Sequence, residues 1–258
     1  MGSITTKFNL TGKVAIVTGS SRGIGKSIAR GLAEQGAKVV ISSRKQEAVD
    51  TVAEELKEAG LEAIGIQCHI GDSIQRKALV DRTVDQFGRI DILVNNAAIN
   101  PCYGPLEGSE EQVFDKIMEV NVKAPWLLSN LVLPQMKKGG SGSIINISSV
   151  EGIHPGFGLG LYSMTKSALI MLTRNQAKEW GPYGIRSNVL CPGLIKTKFS
   201  EGLWADEKLV EHLIRVLPLG RIGTPDEMAG MVMLLASDAG SYMTGGVYIA
   251  DGGYLIAG

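Results

Sequence analysis

A tyrosine and a lysine stand four residues apart in the stretch YSMTK, at positions 162–166. Residues with this spacing share one face of a helix, so the ammonium of Lys166 would lie beside the phenol of Tyr162. A nearby positive charge favours phenolate and predicts a tyrosine pKa below the usual value of about 10. Such a tyrosine can exchange a proton with a carbonyl or an alcohol near neutral pH. The alternative is an ordinary amphipathic helix with a packed tyrosine and a surface lysine.

The segments around this pair alternate between predicted strands and helices. Short β-branched apolar runs indicate buried parallel strands, and apolar residues at helical spacing indicate the helices between them. The strands are predicted at residues 13–18, 38–42, 62–68, 91–96, 142–149, 185–193 and 246–250, and the helices at 23–36, 47–60, 73–87, 110–136, 161–180 and 225–236. Pro125 is expected to kink the helix at 110–136. The order predicts an α/β fold over residues 1–258: a single-domain Rossmann fold, with a doubly wound parallel sheet of about seven strands and helices on both faces.

A glycine-rich turn, TGSSRGIG at 18–25, joins the first predicted strand to the first predicted helix. Its glycines, Gly19, Gly23 and Gly25, let the backbone approach a pyrophosphate, and the helix start offers free N–H groups to it. A glycine triplet also occurs in plain loops. At this place in a βαβ unit, however, it predicts a dinucleotide site.

The end of the second predicted strand indicates which dinucleotide binds. An acidic residue there would bind the ribose 2′-hydroxyl and exclude a 2′-phosphate. Ser43, Arg44 and Lys45 occupy this point instead, and a guanidinium suits a phosphate. Arg22, inside the glycine turn, would reach the same phosphate. This pattern favours NADP(H), against the alternative that both arginines are solvated surface residues.

Several motifs together resemble the short-chain dehydrogenase/reductase family over about residues 13–253. They are the glycine turn, NNAA at 95–98, Asn121, Ser149, the YxxxK pair and PG at 192–193. The segments ISSRKQ, NPCYGPLEG and CPGLIKTKFSEGLW resemble the NADPH-dependent carbonyl and retinal reductases within the family. Similar sequences also occur among bacterial ketone reductases and 3-oxoacyl carrier-protein reductases.

The resemblance implies a role for each matching residue. Tyr162 would be the catalytic acid/base, and Lys166 would hold the ribose hydroxyls and depress the tyrosine pKa. Ser149 would orient the substrate carbonyl, and Asn121 would hold a water that links Lys166 to solvent. The residues assigned to the cofactor are Gly19, Ser21, Arg22, Gly23, Ile24, Gly25, Ser43, Arg44, His69, Ile70, Asn95, Ala97, Tyr162, Lys166, Pro192, Gly193, Ile195 and Thr197.

One residue of this set departs from the family pattern. The third strand of the family usually ends in an aspartate that touches the adenine, and His69 stands there in this chain. The adenine contact is therefore open, and the backbone of Ile70 is the remaining candidate.

Substrate choice is expected in residues 100–103, in the loop after Ser149 and in a lid at about 194–220. The predicted pocket residues are Glu151, His154, Phe157, Phe199, Leu203 and Trp204. Apolar lid residues favour a hydrophobic carbonyl, although packing inside the protein or at a subunit contact is an equal alternative. His154 is predicted to be a pocket wall or a structural residue rather than a second acid/base, because no carboxylate partner is evident. Glu151 would bind a polar substrate group or point to water.

The predicted function is NADP(H)-dependent hydride transfer between nicotinamide and a ketone, an aldehyde or a secondary alcohol. The alternatives are a 3-oxoacyl carrier-protein reductase, a sugar or polyol dehydrogenase, and a non-catalytic nicotinamide-binding regulatory protein. Lys+Arg and Asp+Glu are equal at 26 each, so neither nucleic acid nor a membrane is an expected partner. Three scattered cysteines favour a reducing, cytoplasmic setting and no metal site. The resemblance, with an apolar segment at 245–258, implies a homotetramer.

Overall fold

The computed structural model describes residues 3–204 and 207–257, with the backbone alone at residues 203, 207–209, 212 and 213. The strands within this part are β1 Val14–Thr18, β2 Lys38–Ser43, β3 Ala63–Gln67, β4 Ile92–Asn95, β5 Gly142–Ile147, β6 Ile185–Pro192 and β7 Val247–Ala250. The helices are α1 Gly23–Glu34, α2 Gln46–Glu58, α3 Ser73–Phe87, α4 Glu111–Met118, α5 Ala124–Gly139, α6 Gly160–Trp180, α7 Glu201–Trp204, α8 Glu207–Val216 and α9 Pro225–Ala236.

The seven strands found among the described residues form one parallel sheet in the order β3-β2-β1-β4-β5-β6-β7. Residues of β1 alternate between its faces: Ala15 and Val17 join a core with α1, α2 and α9, whereas Ile16 joins a core with α3, α5 and α6. Helices therefore cover both faces, and the predicted Rossmann fold is confirmed. The strand order reverses at β1 and β4, which opens a crevice at the carboxyl ends of the strands. No helix in the described ranges is both long and apolar enough to cross a bilayer.

The helix predicted at 110–136 is not continuous. α4 ends at Met118, a π-helical turn spans Glu119–Lys123, and α5 begins at Ala124. Pro125 lies in the first turn of α5, where a missing N–H costs little. The predicted continuous helix is therefore wrong, because a π-helical turn divides it. The predicted kink at Pro125 stays a prediction.

A buried polar network joins α6 to the middle of the sheet. Asn95 Nδ2 on β4 donates to Asn146 Oδ1 on β5 at 2.9 Å, and Asn146 Nδ2 donates to Thr173 Oγ1 on α6 at 2.8 Å. Further along α6, Gln176 Oε1 accepts a hydrogen bond from Ser187 Oγ on β6 at 2.8 Å. Because interior polar groups are costly to leave unpaired, the network favours one seating of α6 on the sheet.

We expect Asn146→Ala to lower the free energy of unfolding by about 2 kcal/mol, because Asn95 and Thr173 each lose an interior partner. Asn175→Ala is the control, since Asn175 is an exposed asparagine on α6, the helix that carries Thr173. Its effect should stay within about 0.5 kcal/mol. Chemical denaturation measures both, and an equal effect of the two substitutions would contradict the role given to the network.

Candidate active site

A cleft of about 2280 Å³ runs along the carboxyl ends of the strands. Its walls come from the turn after β1 and from the segments that follow β2, β3, β4, β5 and β6. Pockets for one small molecule usually measure roughly 300–1,000 Å³. The cleft is therefore large enough to hold a dinucleotide together with a second molecule.

The glycine-rich turn forms one wall of the cleft and is packed too closely for larger residues. Gly19 has a φ of +64°, and a Cβ at this position would lie 2.9 Å from Ala97 Cα. A Cβ on Gly25 would lie 2.5 Å from both the Gly19 carbonyl oxygen and Asn96 Nδ2. Asn96 Nδ2 also donates to the carbonyls of Thr18 at 2.8 Å and Gly19 at 3.1 Å. The turn is thus fixed against the segment after β4, with its backbone facing the cleft.

The first turn of α1 opens onto the same cleft. The N-cap residue, Arg22, makes no side-chain capping bond to the described backbone, so N–H groups at the helix start are available to an anion. The predicted residues of this region all line the cleft: Gly19, Ser21, Arg22, Gly23, Ile24 and Gly25.

Basic side chains surround the far end of this wall. Ser43, Arg44 and Lys45 line the cleft at the end of β2, as Arg22 does after β1. Both arginines are exposed, and neither forms an ion pair with a described carboxylate. Guanidinium groups in this situation are suited to bind a phosphate.

The loop after β3 brings His69 and Ile70 into the lining of the cleft, and their contact with an adenine stays a prediction. Gln75 Oε1 accepts a hydrogen bond from the His69 N–H at 2.8 Å, and the buried Arg76 donates to the Ile70 carbonyl at 2.5 Å. Asp72 adds a carboxylate to the same lining while it caps α3. Side-chain bonds therefore hold this loop in place although the family aspartate is replaced.

Tyr162 and Lys166 lie one turn apart on α6, and both are buried. Lys166 Nζ donates to the Ile147 carbonyl at 2.8 Å and lies 5.4 Å from the centre of the Tyr162 ring. The Ser149 side chain lies near enough to Tyr162 to lower the pKa of its phenol, and it accepts a hydrogen bond from the Glu151 N–H at 3.2 Å. Two hydroxyls and an ammonium therefore converge at one end of the cleft.

Burial determines the protonation of this pair. Loss of water raises the pKa of Tyr162 above its ordinary value, and the nearby Ser149 side chain opposes this rise. Burial also lowers the pKa of Lys166 to about 8. The prediction that Lys166 lowers the tyrosine pKa is therefore wrong, because desolvation of the phenol dominates and the ammonium is directed at the Ile147 carbonyl.

Asn121 lies in the π-helical turn, and its side chain is buried between two segments of the site. Its Oδ1 accepts from the Ile99 N–H at 2.9 Å, while its Nδ2 donates to the Ile99 carbonyl at 2.8 Å and to Thr165 Oγ1 at 3.1 Å. Asn121 is absent from the described lining of the cleft. It ties the segment after β4 to α6, and its role in a water relay stays a prediction.

The end of β6 and the segment after it line the cleft at Pro192, Gly193, Ile195 and Thr197, and their contact with the nicotinamide stays a prediction. Trp204 is different. Its indole N–H donates to the Thr197 carbonyl at 2.7 Å, and the side chain lies outside the described lining. Trp204 is therefore corrected from a pocket residue to an anchor of this loop.

The other predicted substrate residues divide between the cleft and the surface. Those in the cleft are Glu151, Phe157 and Phe199. The Phe199 ring lies 6.1 Å from the Tyr162 ring, centre to centre, so this part of the cleft adjoins the tyrosine. His154 is exposed and does not contribute to the described lining, and the Leu203 side chain lies outside the described residues.

Asn95 does not reach the cleft. It is buried, and its Nδ2 donates to Ser129 Oγ at 3.2 Å as well as to Asn146. The neighbouring Asn96 lines the cleft instead, together with Ala97. Successive side chains along a strand face opposite sides. This alternation is the sequence signal that separates the buried Asn95 from Asn96, which lines the cleft.

The buried ammonium leads to a testable pH dependence of stability. The pKa of Lys166 is about 8 in the folded chain and 10.5 ordinarily, so the unfolded chain binds more protons between these pH values. The free energy of unfolding of the native chain should therefore rise with pH across this window, relative to Lys166→Met, by up to about 3 kcal/mol. Denaturation of both proteins at several pH values from 7 to 10.5 measures the difference. If the difference in free energy of unfolding between the two proteins does not change with pH, Lys166 has the same pKa in the folded and the unfolded chain.

Comparisons with known proteins agree with this arrangement. A family model described as enoyl-(acyl carrier protein) reductase matches residues 19–255. Dehydrogenase/reductase SDR family member 4 of Oryctolagus cuniculus is 46% identical over 250 residues, covering 97% of this chain and 96% of that protein. Tropinone reductase-like 3 of Erythroxylum coca is 45% identical over 242 residues, covering 94% and 93% respectively. The structure of a gluconate 5-dehydrogenase from Burkholderia cenocepacia J2315, in complex with NADP and tartrate, matches with a TM-score of 0.95 and 35% identity, covering 98% of this chain and 99% of that one. The chain therefore belongs to the short-chain dehydrogenase/reductase family of oxidoreductases.

Proposed function

We propose that the protein is an NADP(H)-dependent carbonyl reductase acting on hydrophobic ketones or aldehydes, and in reverse on secondary alcohols. The observation that carries the proposal is the convergence of Ser149, Tyr162 and Lys166 in a cleft that also contains the glycine turn. A regulatory protein that only bound nicotinamide would need the turn. It would gain nothing from a buried ammonium beside two hydroxyl groups.

The cleft fits a dinucleotide that carries a 2′-phosphate. The closely packed Gly19 and Gly25 leave backbone N–H groups open to a pyrophosphate, and Arg22 and Arg44 are placed to hold the additional phosphate. The 35% identical dehydrogenase from Burkholderia was solved as a complex with NADP, which supports the preference. NADPH at this site would supply the hydride.

The residues at the inner end would deliver the proton. The raised pKa of Tyr162 keeps the phenol protonated at neutral pH, which is the form required to donate to a reduced carbonyl oxygen. Ser149 Oγ accepts the Glu151 N–H, so its own proton can be donated to the same oxygen. Lys166 has a pKa of about 8 and is charged at pH 7, which stabilises negative charge that develops on that oxygen.

The outer part of the cleft favours an apolar substrate. Tyr103, Phe157 and Phe199 line it with aromatic rings, as in pockets for apolar ligands. The name of the Erythroxylum relative, a tropinone reductase-like protein, supports ketone reduction. The gluconate dehydrogenase and the description of the family model favour a sugar acid or a carrier-bound acyl chain, so these substrates belong in the same assay.

We further propose a homotetramer in the cytoplasm. Large apolar side chains are exposed on α5 and α6, at Trp126, Met164 and Met171, and near the end of the described chain, at Ile249 and Ile256. Contact between subunits would remove these side chains from water. The cysteines are free thiols, which suits a reducing compartment.

Cofactor choice is tested by following absorbance of the reduced nicotinamide with NADPH or NADH and a panel of aryl ketones, diketones, 3-oxoacyl esters and sugar acids. We expect faster turnover with NADPH on the apolar carbonyls.

Arg44→Ala should raise the KM for NADPH by about 10-fold or more, because one charged hydrogen bond to phosphate is lost. The KM for NADH should change little. Arg174→Ala, at an exposed position of α6, is the control. A native preference for NADH would refute this assignment.

The chemical role of the tyrosine is tested by Tyr162→Phe, which removes only the hydroxyl. We expect kcat to fall by ~10²-fold or more, the scale of general acid catalysis, while the Kd for NADPH stays within a few-fold. Cofactor fluorescence measures binding and single-turnover kinetics measure the chemical step. Near-native turnover would exclude Tyr162 as the proton donor.

A further inference from the structure

One carboxylate secures the loop between Ser149 and Tyr162. Glu151 Oε2 accepts hydrogen bonds from the Gly156 N–H at 2.6 Å and from Ser163 Oγ at 3.0 Å. Ser163 directly follows Tyr162 on α6 and is buried. At its other end, Glu151 donates its own N–H to Ser149 Oγ at 3.2 Å. One residue therefore contacts the serine through its backbone and the neighbour of the tyrosine through its side chain.

Other contacts hold the beginning of the same loop against α6. Ser148 Oγ donates to the Lys166 carbonyl at 2.8 Å, and Ser167 Oγ donates to the Gly152 carbonyl at 2.6 Å. A Cβ on Gly152 would lie only 2.7 Å from the Lys166 carbonyl carbon, so backbone packs directly on backbone. These contacts fix the start of the loop beside Lys166. The later turn at Gly156 is held instead by the carboxylate of Glu151.

The hydrogen bonds of Glu151 within its own loop were not part of the predictions made for it. Its Oε2 already accepts two donors, and its Oε1 lies 2.8 Å from the position of a Cβ on Gly156. Both oxygens are therefore directed at the loop. Two donors of its own chain therefore engage the carboxylate, which also lines the cleft.

We propose that Glu151 is a positioning residue that fixes the separation between the Ser149 and Tyr162 hydroxyls, which together hold the substrate oxygen. The inference rests on the carbonyl reductase function proposed above. Misplacement of a reacting group by about 1 Å can cost ~10²-fold in rate, so loss of this link should lower kcat. Cofactor affinity should change little, because Glu151 lies at the substrate end of the cleft, next to Ser149.

The charge of Glu151 also reaches the tyrosine. The titratable groups that face the phenol are Lys166 on α6, Glu151 in the loop after β5 and Cys191 on β6. After burial, the largest influence that raises the pKa of Tyr162 is the carboxylate of Glu151. Removal of this charge therefore lowers the pKa of Tyr162. The rate of ketone reduction should then begin to fall at a lower pH, which a purely structural role would not produce.

Three substitutions separate the hydrogen bonds from the charge. Glu151→Ala removes both. Glu151→Gln keeps one oxygen that can accept from both donors but removes the charge, and Ser163→Ala keeps the charge but removes one donor. Glu179→Ala is the control, because Glu179 is an exposed carboxylate on α6, the helix that carries Ser163.

We expect Glu151→Ala to lower kcat for an apolar ketone by about 10- to 100-fold, with the KM for NADPH within twofold of the native value. Glu151→Gln should recover most of this loss and shift the alkaline limb of the pH profile to lower pH. Ser163→Ala should show a smaller loss and no shift. Thermal unfolding of each variant confirms that it is folded at the assay temperature.

The outcomes distinguish this inference from the proposed function. A native protein that reduces no carbonyl with NADPH refutes the function before any variant is made. An active native protein with unchanged kcat in Glu151→Ala refutes the positioning role, as does a Glu151→Gln variant that is as impaired as Glu151→Ala. If Glu151→Ala does not fold, native kcat in Ser163→Ala together with an unchanged pH profile in Glu151→Gln refutes it equally.

Discussion

Burial of the Lys166 ammonium against the Ile147 carbonyl is the interaction on which the rest of the site depends. A charged amine inside a protein is costly unless it is hydrogen-bonded, so α6 has to lie at one height and rotation above β5. The interior network through Asn146 and Thr173 secures that seating further along the helix. Tyr162, one turn away from Lys166, then reaches the cleft at a defined point.

Polar side chains tie several loops at the carboxyl edge of the sheet to their neighbours. Asn96 holds the glycine turn, Asn121 holds the segment after β4, and Glu151 holds the loop before Tyr162. In each case an amide or a carboxylate satisfies backbone groups that would otherwise need water. The cleft is therefore largely preformed, which limits the ordering required when ligands bind.

The fold could be predicted from sequence because its signals are local: the alternation of apolar strands and amphipathic helices, and the glycine turn after β1. The spacing of Tyr162 and Lys166 likewise identified the pair without structural information. The errors all involve tertiary surroundings. The π-helical turn before Pro125 and the side of the sheet that Asn95 faces depend on packing between distant segments. The tyrosine pKa was predicted in the wrong direction because the charge of a neighbour can be read from sequence, whereas the loss of water cannot.

The most direct test of this view of the site is the ionisation of Tyr162 itself. Phenolate absorbs at a longer wavelength than phenol, so the difference between pH titrations of the native protein and of Tyr162→Phe reports that one residue. We expect no phenolate from Tyr162 below the ordinary tyrosine pKa of about 10, because burial keeps the phenol protonated as a proton donor. A phenolate that appears near pH 7 would contradict this, and would show that the charge of Lys166, rather than desolvation, controls the catalytic tyrosine.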